Sequence, residues 1–262
     1  MSRKSPIANL SDKAYVSSVA SEREIASLPL VPAMVPSQAK ACEGSSVIGV
    51  EPEGSCCPVW DGLNLYHAID KLRMPCLKWL NIWSLAEHLI PRKSQTLVKV
   101  VYCTARKQDD DPEKVKRQRE FLTALECYGV TTIWSHFIYG EMNCRGCGRE
   151  WRDPKEKESD VNLALTLIDD AYQNTFDHAY ILTADSDQGS TARMMKTRFP
   201  YKQLTSITPP GQEKCKAIMA HTGLHIGLTA EHLERNLLPA IRIDDVGGKQ
   251  TLRFRRPDAY KP

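Results

Sequence analysis

The chain has 262 residues, a formal net charge of +3, 42% hydrophobic residues and 26% charged residues. These values are typical of a globular chain with one domain plus extensions, or with two small domains. The polar start carries no secretion signal, and no apolar run approaches the ~18–20 residues of a membrane helix. We therefore expect a cytoplasmic protein without a membrane partner, whose nine cysteines are more suited to holding metal than to forming disulfides.

Residues 1–57 are rich in Ser, Ala, Pro and Glu and show no sustained helical or strand period. This composition predicts a flexible N-terminal arm with one short helix near Ser21–Leu28. Such an arm is either an extension without a role or the contact point for a protein partner or a second copy of the chain.

From Pro58 onward, β-branched apolar runs alternate with amphipathic segments. The predicted strands are Pro58–Trp60, Thr96–Cys103, Val130–Ile138, His178–Thr183, Gln203–Thr208 and Gly223–Gly227. The predicted helices are Cys76–Ile90, Pro112–Tyr128, Ser159–Tyr172, Ser190–Arg198, Gln212–Ala220 and Ala230–Asn236. The alternation predicts an α/β domain over residues 58–240, with a mostly parallel sheet flanked by helices. A Gly/Cys-rich insertion occupies residues 139–152, and residues 241–262 form a basic tail that we expect to be exposed.

Acidic residues follow two of the predicted strands and open one of the helices. Asp61 follows the first strand, Asp185 and Asp187 follow the fourth, and Asp160 is the second residue of the third helix. In parallel sheets, working sites lie beyond the carboxyl ends of the strands. Carboxylates gathered there repel one another unless a divalent cation neutralises them, and oxygen ligands suit Mg²⁺ or Mn²⁺. Such a cation would activate water for phosphodiester hydrolysis.

Each of these residues also has a structural explanation when taken alone. Asp160 and Asp187 are common helix caps, and Asp61 before Gly62 is typical of a turn. Their joint placement at two strand ends and one helix start favours a shared site.

Three motifs carry a family resemblance: Asp61-Gly62-x-Asn64-Leu65-Tyr66, Glu156-Lys157-x-Ser159-Asp160-Val161 and Thr183-Ala184-Asp185-Ser186-Asp187. Together with the Cys-x-x-Cys-Gly segment, the Ile207–Pro210 strand end and the Leu237–Pro239 close, they resemble the bacterial NYN domain, which is related to the PIN and FLAP nucleases. The resemblance covers about residues 58–240.

The resemblance implies a PIN-like sheet and a ribonuclease that depends on Mg²⁺ or Mn²⁺ and acts on RNA. It implies that Asp61, Asp160, Asp185 and Asp187 bind the metal, and that Asn64 helps to orient metal, water or phosphate. Thr183 or Ser186 would lend a hydroxyl or a backbone N–H. One departure is visible, because Gln188-Gly189 follows Asp187 where the family has a hydrophobic residue and then a proline two positions later. This departure concerns the backbone geometry at the start of the helix that follows Asp187.

Cys144 and Cys147 have the spacing of a zinc knuckle. A structural zinc site needs four ligands, and no second Cys-x-x-Cys is present. Bound Zn²⁺ and a metal-free hairpin therefore both stay open. The other ligand candidates are His136, Cys103, Cys127, Cys56 and Cys57.

Basic and aromatic residues offer contacts for a nucleic acid. Phosphate contacts are predicted for Arg106, Lys107, Arg117 and Arg193, although charge runs are more often solvated helix faces. Lys157 is the stronger single candidate because it lies three residues before Asp160. Trp151 and Tyr66 are candidates for base stacking, whereas Trp134 is expected in the core.

The rival functions are of three kinds. A catalytically weak RNA-binding module would bind RNA through the same surface but would cleave little or none of it. A phosphatase with an Asp nucleophile is disfavoured because Asp61-Gly62-Leu63 lacks a second aspartate two positions on. A Rossmann-type nucleotide binder is disfavoured because the sequence contains no G-x-G-x-x-G or Walker-type loop.

Overall fold

The computed structural model describes residues 54–106, 111–246 and 249–261. Within this part of the chain, eight strands form one mixed sheet: β1 (Gly54–Asp61), β2 (Gln95–Leu97), β3 (Val101–Ala105), β4 (Thr131–Asn143), β5 (Glu150–Lys157), β6 (His178–Leu182), β7 (Gln203–Thr208) and β8 (Leu224–Gly227). Their order is β5-β4-β3-β1-β6-β7-β8, with β2 beside the start of β1. Every pairing is parallel except that of β4 with β5. The predicted α/β fold with a mostly parallel sheet is confirmed.

The structure describes seven α-helices, and several of them begin at a residue whose side chain caps the first turn. They are α1 (Gly62–Lys71), α2 (Ile82–Leu89), α3 (Pro112–Glu126), α4 (Ser159–Tyr172), α5 (Gly189–Arg198), α6 (Lys216–Met219) and α7 (Ala230–Glu234). Asp61 caps α1 and Asn81 caps α2, while Asp111 caps α3 with Pro112 at its first turn. Each cap accepts a backbone N–H that the helix itself leaves unpaired.

The helices cover both faces of the sheet and enclose two cores. One core lies under α1, α2 and α3 and includes Trp60, Trp79 and Leu125. The other lies under α4, α5 and α6 and includes Leu163, Phe176 and Ile181. The sheet is therefore buried on both faces, as parallel sheets require.

The connecting helices change from one face of the sheet to the other between β1 and β6. The helix after β1 packs on one face, and the helix after β6 packs on the other. β1 and β6 are direct neighbours, with Trp60 opposite Leu182. Such a change of side opens a crevice at the carboxyl ends of the two strands, where α/β proteins bind ligands.

The N-terminal boundary lies earlier than the sequence indicated. β1 begins at Gly54, so the last residues of the predicted 1–57 arm, including Cys56 and Cys57, belong to a central buried strand. Polar composition around them hides this short apolar run. The rest of the predicted arm, and the helix near Ser21–Leu28, lie outside the described residues.

Two predicted elements are divided by tertiary contacts. The helix predicted at Cys76–Ile90 is a 3₁₀ turn, Pro75–Lys78, followed by α2. The break occurs because the Asn81 N–H donates to the Asn236 carbonyl and Leu80 bridges Leu237. The strand predicted at Thr96–Cys103 is likewise split into β2 and β3.

The C-terminal segment is not simply an exposed tail. It folds as an antiparallel pair, β9 (Ile241–Val246) and β10 (Lys249–Arg255), followed by a 3₁₀ turn. Phe254 is 1% exposed and packs edge-on against Trp79. Basic composition concealed this apolar anchor, which the alternation around Leu252 and Phe254 could have indicated.

Candidate active site at the carboxyl edge of the sheet

Asp61 lies at the base of the crevice, at the last position of β1. It is 5% exposed, and its carboxylate accepts the Asn64 N–H at 2.9 Å and the Thr183 hydroxyl at 3.0 Å. Burial and, to a smaller extent, the nearby Asp160 and Asp185 carboxylates raise the pKa of Asp61 to about 6, against the lowering effect of the two hydrogen bonds. A carboxylate is thus held ionised near neutral pH at an energetic cost.

The Thr183 hydroxyl links the two strand ends. It donates to Asp61 and accepts the backbone N–H of Asp185 at 3.1 Å. Asp185 in turn accepts the Asp187 N–H at 2.9 Å and so caps the 3₁₀ turn Ser186–Gln188. The Asp185 carboxylate is close enough for its charge to act on Asp61, whereas Asp187, two residues further along the chain, is exposed.

Asn64 joins the same edge from α1. Its side-chain oxygen accepts the Ala184 N–H at 3.4 Å and the Gln212 amide at 3.3 Å. Asn64 therefore ties β6 to the loop after β7, so the structure gives it a positioning role in the candidate site.

Asp160 reaches the crevice from the start of α4. The Ser159 hydroxyl lies 2.6 Å from that of Ser135 in β4, and the Ser159 N–H donates to Glu156 at 2.8 Å. These contacts fix the first turn of α4 against the sheet. Burial raises the pKa of Asp160, as do the charges of Asp185, Glu156 and Asp187. The predicted aspartates therefore interact through their charges, as expected of a shared site.

Glu156 is the acidic residue that the sequence analysis did not place in the site. It lies at the end of β5, and its charge reaches Asp160. The signal was present, because Glu156 belongs to the motif that contains Asp160. Its spacing to Ser159 also fits a capping contact, which is the role that the structure shows.

The departure at Gln188-Gly189 has a structural reason. Gln188 is 2% exposed, donates to the Asp160 carbonyl at 2.9 Å and accepts the Thr191 hydroxyl at 2.8 Å. It also hydrogen-bonds to the Asp160 carboxylate. At Gly189, a Cβ atom would lie 2.8 Å from that of Ala217, so only glycine lets α5 approach α6. Gln188, which stands where the family has a hydrophobic residue, thus supports Asp160 through a polar contact.

Gln188→Leu, which places a hydrophobic residue at this position, is expected to lower the free energy of unfolding by about 1–3 kcal/mol. The reason is that a buried carbonyl and hydroxyl lose their partner. Urea unfolding would measure the change, with Gln173→Leu on the exposed end of α4 as the matched control. A neutral or stabilising Gln188→Leu substitution would show that these bonds do not hold Asp160 in place.

The donor set fits a hard divalent cation only in an open geometry. Among the residues that the structure describes, no three His, Cys, Asp or Glu side chains form a group that could by itself hold a metal ion. Mg²⁺ usually keeps several waters and binds through one or two carboxylates together with substrate phosphates. Oxygen donors coupled by like charge, as at Asp61, Asp160 and Asp185, match that manner of binding.

The expected nucleic-acid contacts separate into distinct surfaces. Arg106 stacks on the Trp134 ring at 4.6 Å, and Trp134 is 38% exposed, so the prediction that Trp134 lies in the core is wrong. Lys157 is exposed at the end of β5, and Arg193 is exposed on α5. Arg117 lies instead in the wall of a cavity of about 140 Å³ beside Gly62. Lys107 lies outside the described residues.

The insertion at 139–152 is the tip of a long β-hairpin. β4 pairs with β3 only as far as Ser135, and then continues with β5 beyond the edge of the sheet. Eight residues of extended strand reach about 25 Å. The hairpin therefore projects from the same edge as the carboxylates. The sequence analysis missed β5 because its charged residues and Pro154 hide the strand.

Cys144 and Cys147 lie together at this tip, apart from the other ligand candidates. His136 is at the base of the hairpin, 3.2 Å from Glu158. Cys56, Cys57 and Cys103 are fully buried in β1 and β3, and Cys127 follows α3. None of these residues joins Cys144 and Cys147 in a metal-binding group within the described chain.

No family model matches the chain, and no curated protein matches it either. Among solved structures, the chain is similar to a protein of unknown function from Vibrio parahaemolyticus, with a TM-score of 0.47 and 15% identity. That likeness covers 72% of this chain and 99% of the other. In the described ranges, no helix has the length and apolar character needed to cross a bilayer.

Proposed function

We propose that the protein is a ribonuclease that hydrolyses phosphodiester bonds with the help of Mg²⁺ or Mn²⁺, as its resemblance to NYN domains implies. One observation carries the proposal: a buried aspartate with a raised pKa lies at the crevice between β1 and β6, coupled by charge to Asp160 and Asp185. Strongly perturbed carboxyl groups in a cleft are typical of catalytic sites.

The contacts of each residue indicate its role in the proposed hydrolysis. Asp61, Asp160 and Asp185 would hold the cation, and Asp187 would reach it through water or substrate from its exposed position. The bound cation would acidify a water and stabilise charge on the phosphate. The Thr183 hydroxyl keeps Asp61 and Asp185 in one arrangement, and Asn64 holds the neighbouring strand end.

One face of the hairpin has the chemistry of a single-strand binding surface. Cross-strand partners share a face, which places Ile138 with Lys155, Met142 with Trp151, and Lys157 with His136. Trp151 is 45% exposed, and Lys155 and Lys157 are exposed. Exposed aromatic rings stack bases and lysines meet phosphates, so this face is suited to RNA that approaches the crevice.

Trp151→Ala is expected to weaken RNA binding by about 1–3 kcal/mol if one base stacks on the ring. Lys157→Ala is expected to weaken binding to all RNA sequences alike, and to reduce by about one the slope of the logarithm of the binding constant against the logarithm of the salt concentration. Fluorescence anisotropy with labelled single-stranded RNA would measure both. Tyr139→Ala, an aromatic substitution on the opposite face, is the matched control. Equal losses in Trp151→Ala and Tyr139→Ala would argue against a binding face.

The proposal is tested by incubating the full chain with labelled single-stranded RNA and DNA, in Mn²⁺, in Mg²⁺ and in EDTA. We expect RNA to be cut only when a divalent cation is present. Cleavage that persists in EDTA, or the absence of cleavage of either nucleic acid with any metal, would contradict the proposal.

A second candidate function is RNA binding with little or no turnover. It is favoured because the described residues supply no group of three His, Cys, Asp or Glu side chains that could by itself hold a metal ion. This alternative predicts RNA affinity without metal-dependent cleavage, so the same experiment separates the two functions.

A further inference from the structure

The tip of the β4–β5 hairpin is a tight turn that contains Cys144 and Cys147. A Cβ atom added at Gly146 would lie 3.9 Å from the Cys144 sulfur, so the backbone of the turn passes close to that sulfur. The Cys144 N–H donates to the Arg149 carbonyl at 2.9 Å, and the Gly148 N–H donates to the Cys144 carbonyl at 2.8 Å. Gly148 has φ of 69°, which glycine adopts without strain. The turn therefore holds Cys144 and Cys147 close together along the backbone.

This arrangement supplies half of a structural zinc site. Structural zinc sites use four ligands, and four thiolates are a common set. In the described ranges of the chain, no third ligand lies near enough to form a metal-binding group. His136, the nearest candidate along β4, is bound to Glu158 about 25 Å away at the hairpin base.

We propose that Cys144 and Cys147 bind one zinc ion together with the same two cysteines of a second copy of the chain. A two-fold axis through the metal would bring two identical tips together, because a two-fold interface places the same surface patch on both subunits. The four sulfurs would then form the closed tetrahedral set of a structural site. The inference concerns assembly and does not depend on the proposed ribonuclease activity.

Charge and exposure at the tip agree with this partner. A zinc ion with four thiolates is an anion, and each tip carries the exposed cations Arg145 and Arg149 beside its cysteines. Two tips would therefore surround the centre with positive charge.

The test is the zinc content and mass of the full chain, purified in a mild reductant without added chelator. Elemental analysis should find about one zinc per two chains, and light scattering should find a dimer. The double substitution Cys144→Ser/Cys147→Ser should remove both the zinc and the dimer while the circular dichroism spectrum stays unchanged, since the tip lies outside the two cores. Cys42→Ser, which removes another cysteine of the chain, should change neither quantity.

Three results would overturn the inference. The first is a zinc-free chain, whether its two tip thiols are reduced or joined as a disulfide. The second is one zinc per chain in a monomer, above all if Cys42→Ser removes it. The third is a dimer that keeps its mass after a strong chelator has removed the zinc.

Discussion

Asp61→Asn is expected to abolish metal-dependent RNA cleavage and, at the same time, to stabilise the metal-free protein. Losing a ligand that contributes several kcal/mol to charge stabilisation corresponds to about a 100-fold loss of rate or more. The gain in stability has a separate cause, since burial raises the pKa of Asp61 to about 6. The folded protein therefore resists the ionisation that the unfolded chain accepts freely near its ordinary value of 3.8.

The pH range of this effect follows from the raised pKa. The stability that protonated Asp61 contributes is fully present below about pH 4 and is lost as the pH rises through about 6. A shift of about two units corresponds to roughly 3 kcal/mol as an upper bound. Asp61→Asn should thus be more stable than the wild type at neutral pH in EDTA, and similar to it at about pH 4. Bound Mn²⁺ should reduce the difference by stabilising the wild type.

Urea unfolding at these pH values measures the stability difference, and cleavage assays measure the loss of activity. Asp177→Asn is a control of opposite sign, because hydrogen bonds from Ser55 lower the pKa of Asp177 and its ionised form stabilises the fold. If Asp61→Asn is less stable than the wild type at every pH, Asp61 is a structural cap whose charge the fold needs.

Asp160→Asn is expected to reduce cleavage by about 100-fold or more while leaving RNA affinity nearly unchanged. The substitution keeps the shape of the side chain, so the first turn of α4 should stay anchored through Ser159 and Ser135. Asp169→Asn, near the other end of the same helix, is the matched control because Asp169 is exposed and bonded only locally to Gln173. Equal activity of the two variants would remove Asp160 from the catalytic group.

The sequence was sufficient for the parts of the fold that depend on local pattern. The alternation of apolar strands and amphipathic helices predicts the parallel sheet, and the periodic segments Ser159–Tyr172 and Gln203–Thr208 have the predicted bounds. The strand ends also placed Asp61 and Asp185 together, because parallel strands bring their carboxyl ends to one edge.

The remaining features depend on contacts between distant residues. The Thr183 hydroxyl that joins two aspartates, and the Gln188 side chain that supports Asp160, are visible only once the strand ends meet. The missed strand β5 is stabilised by its pairing with β4, since its own residues have little strand propensity. The buried Phe254 likewise becomes apparent only through its packing on Trp79.

Calorimetric titration with Mn²⁺ tests the central claim most directly, namely that Asp61, Asp160 and Asp185 form one cation-binding centre. The full chain and the variants Asp61→Asn, Asp160→Asn, Asp185→Asn and Asp169→Asn would be compared at neutral pH. We expect the wild type and Asp169→Asn to bind Mn²⁺ alike, and each of the other three variants to bind at least about tenfold more weakly. Equal Mn²⁺ binding by all five proteins, or none by the wild type, would contradict the account.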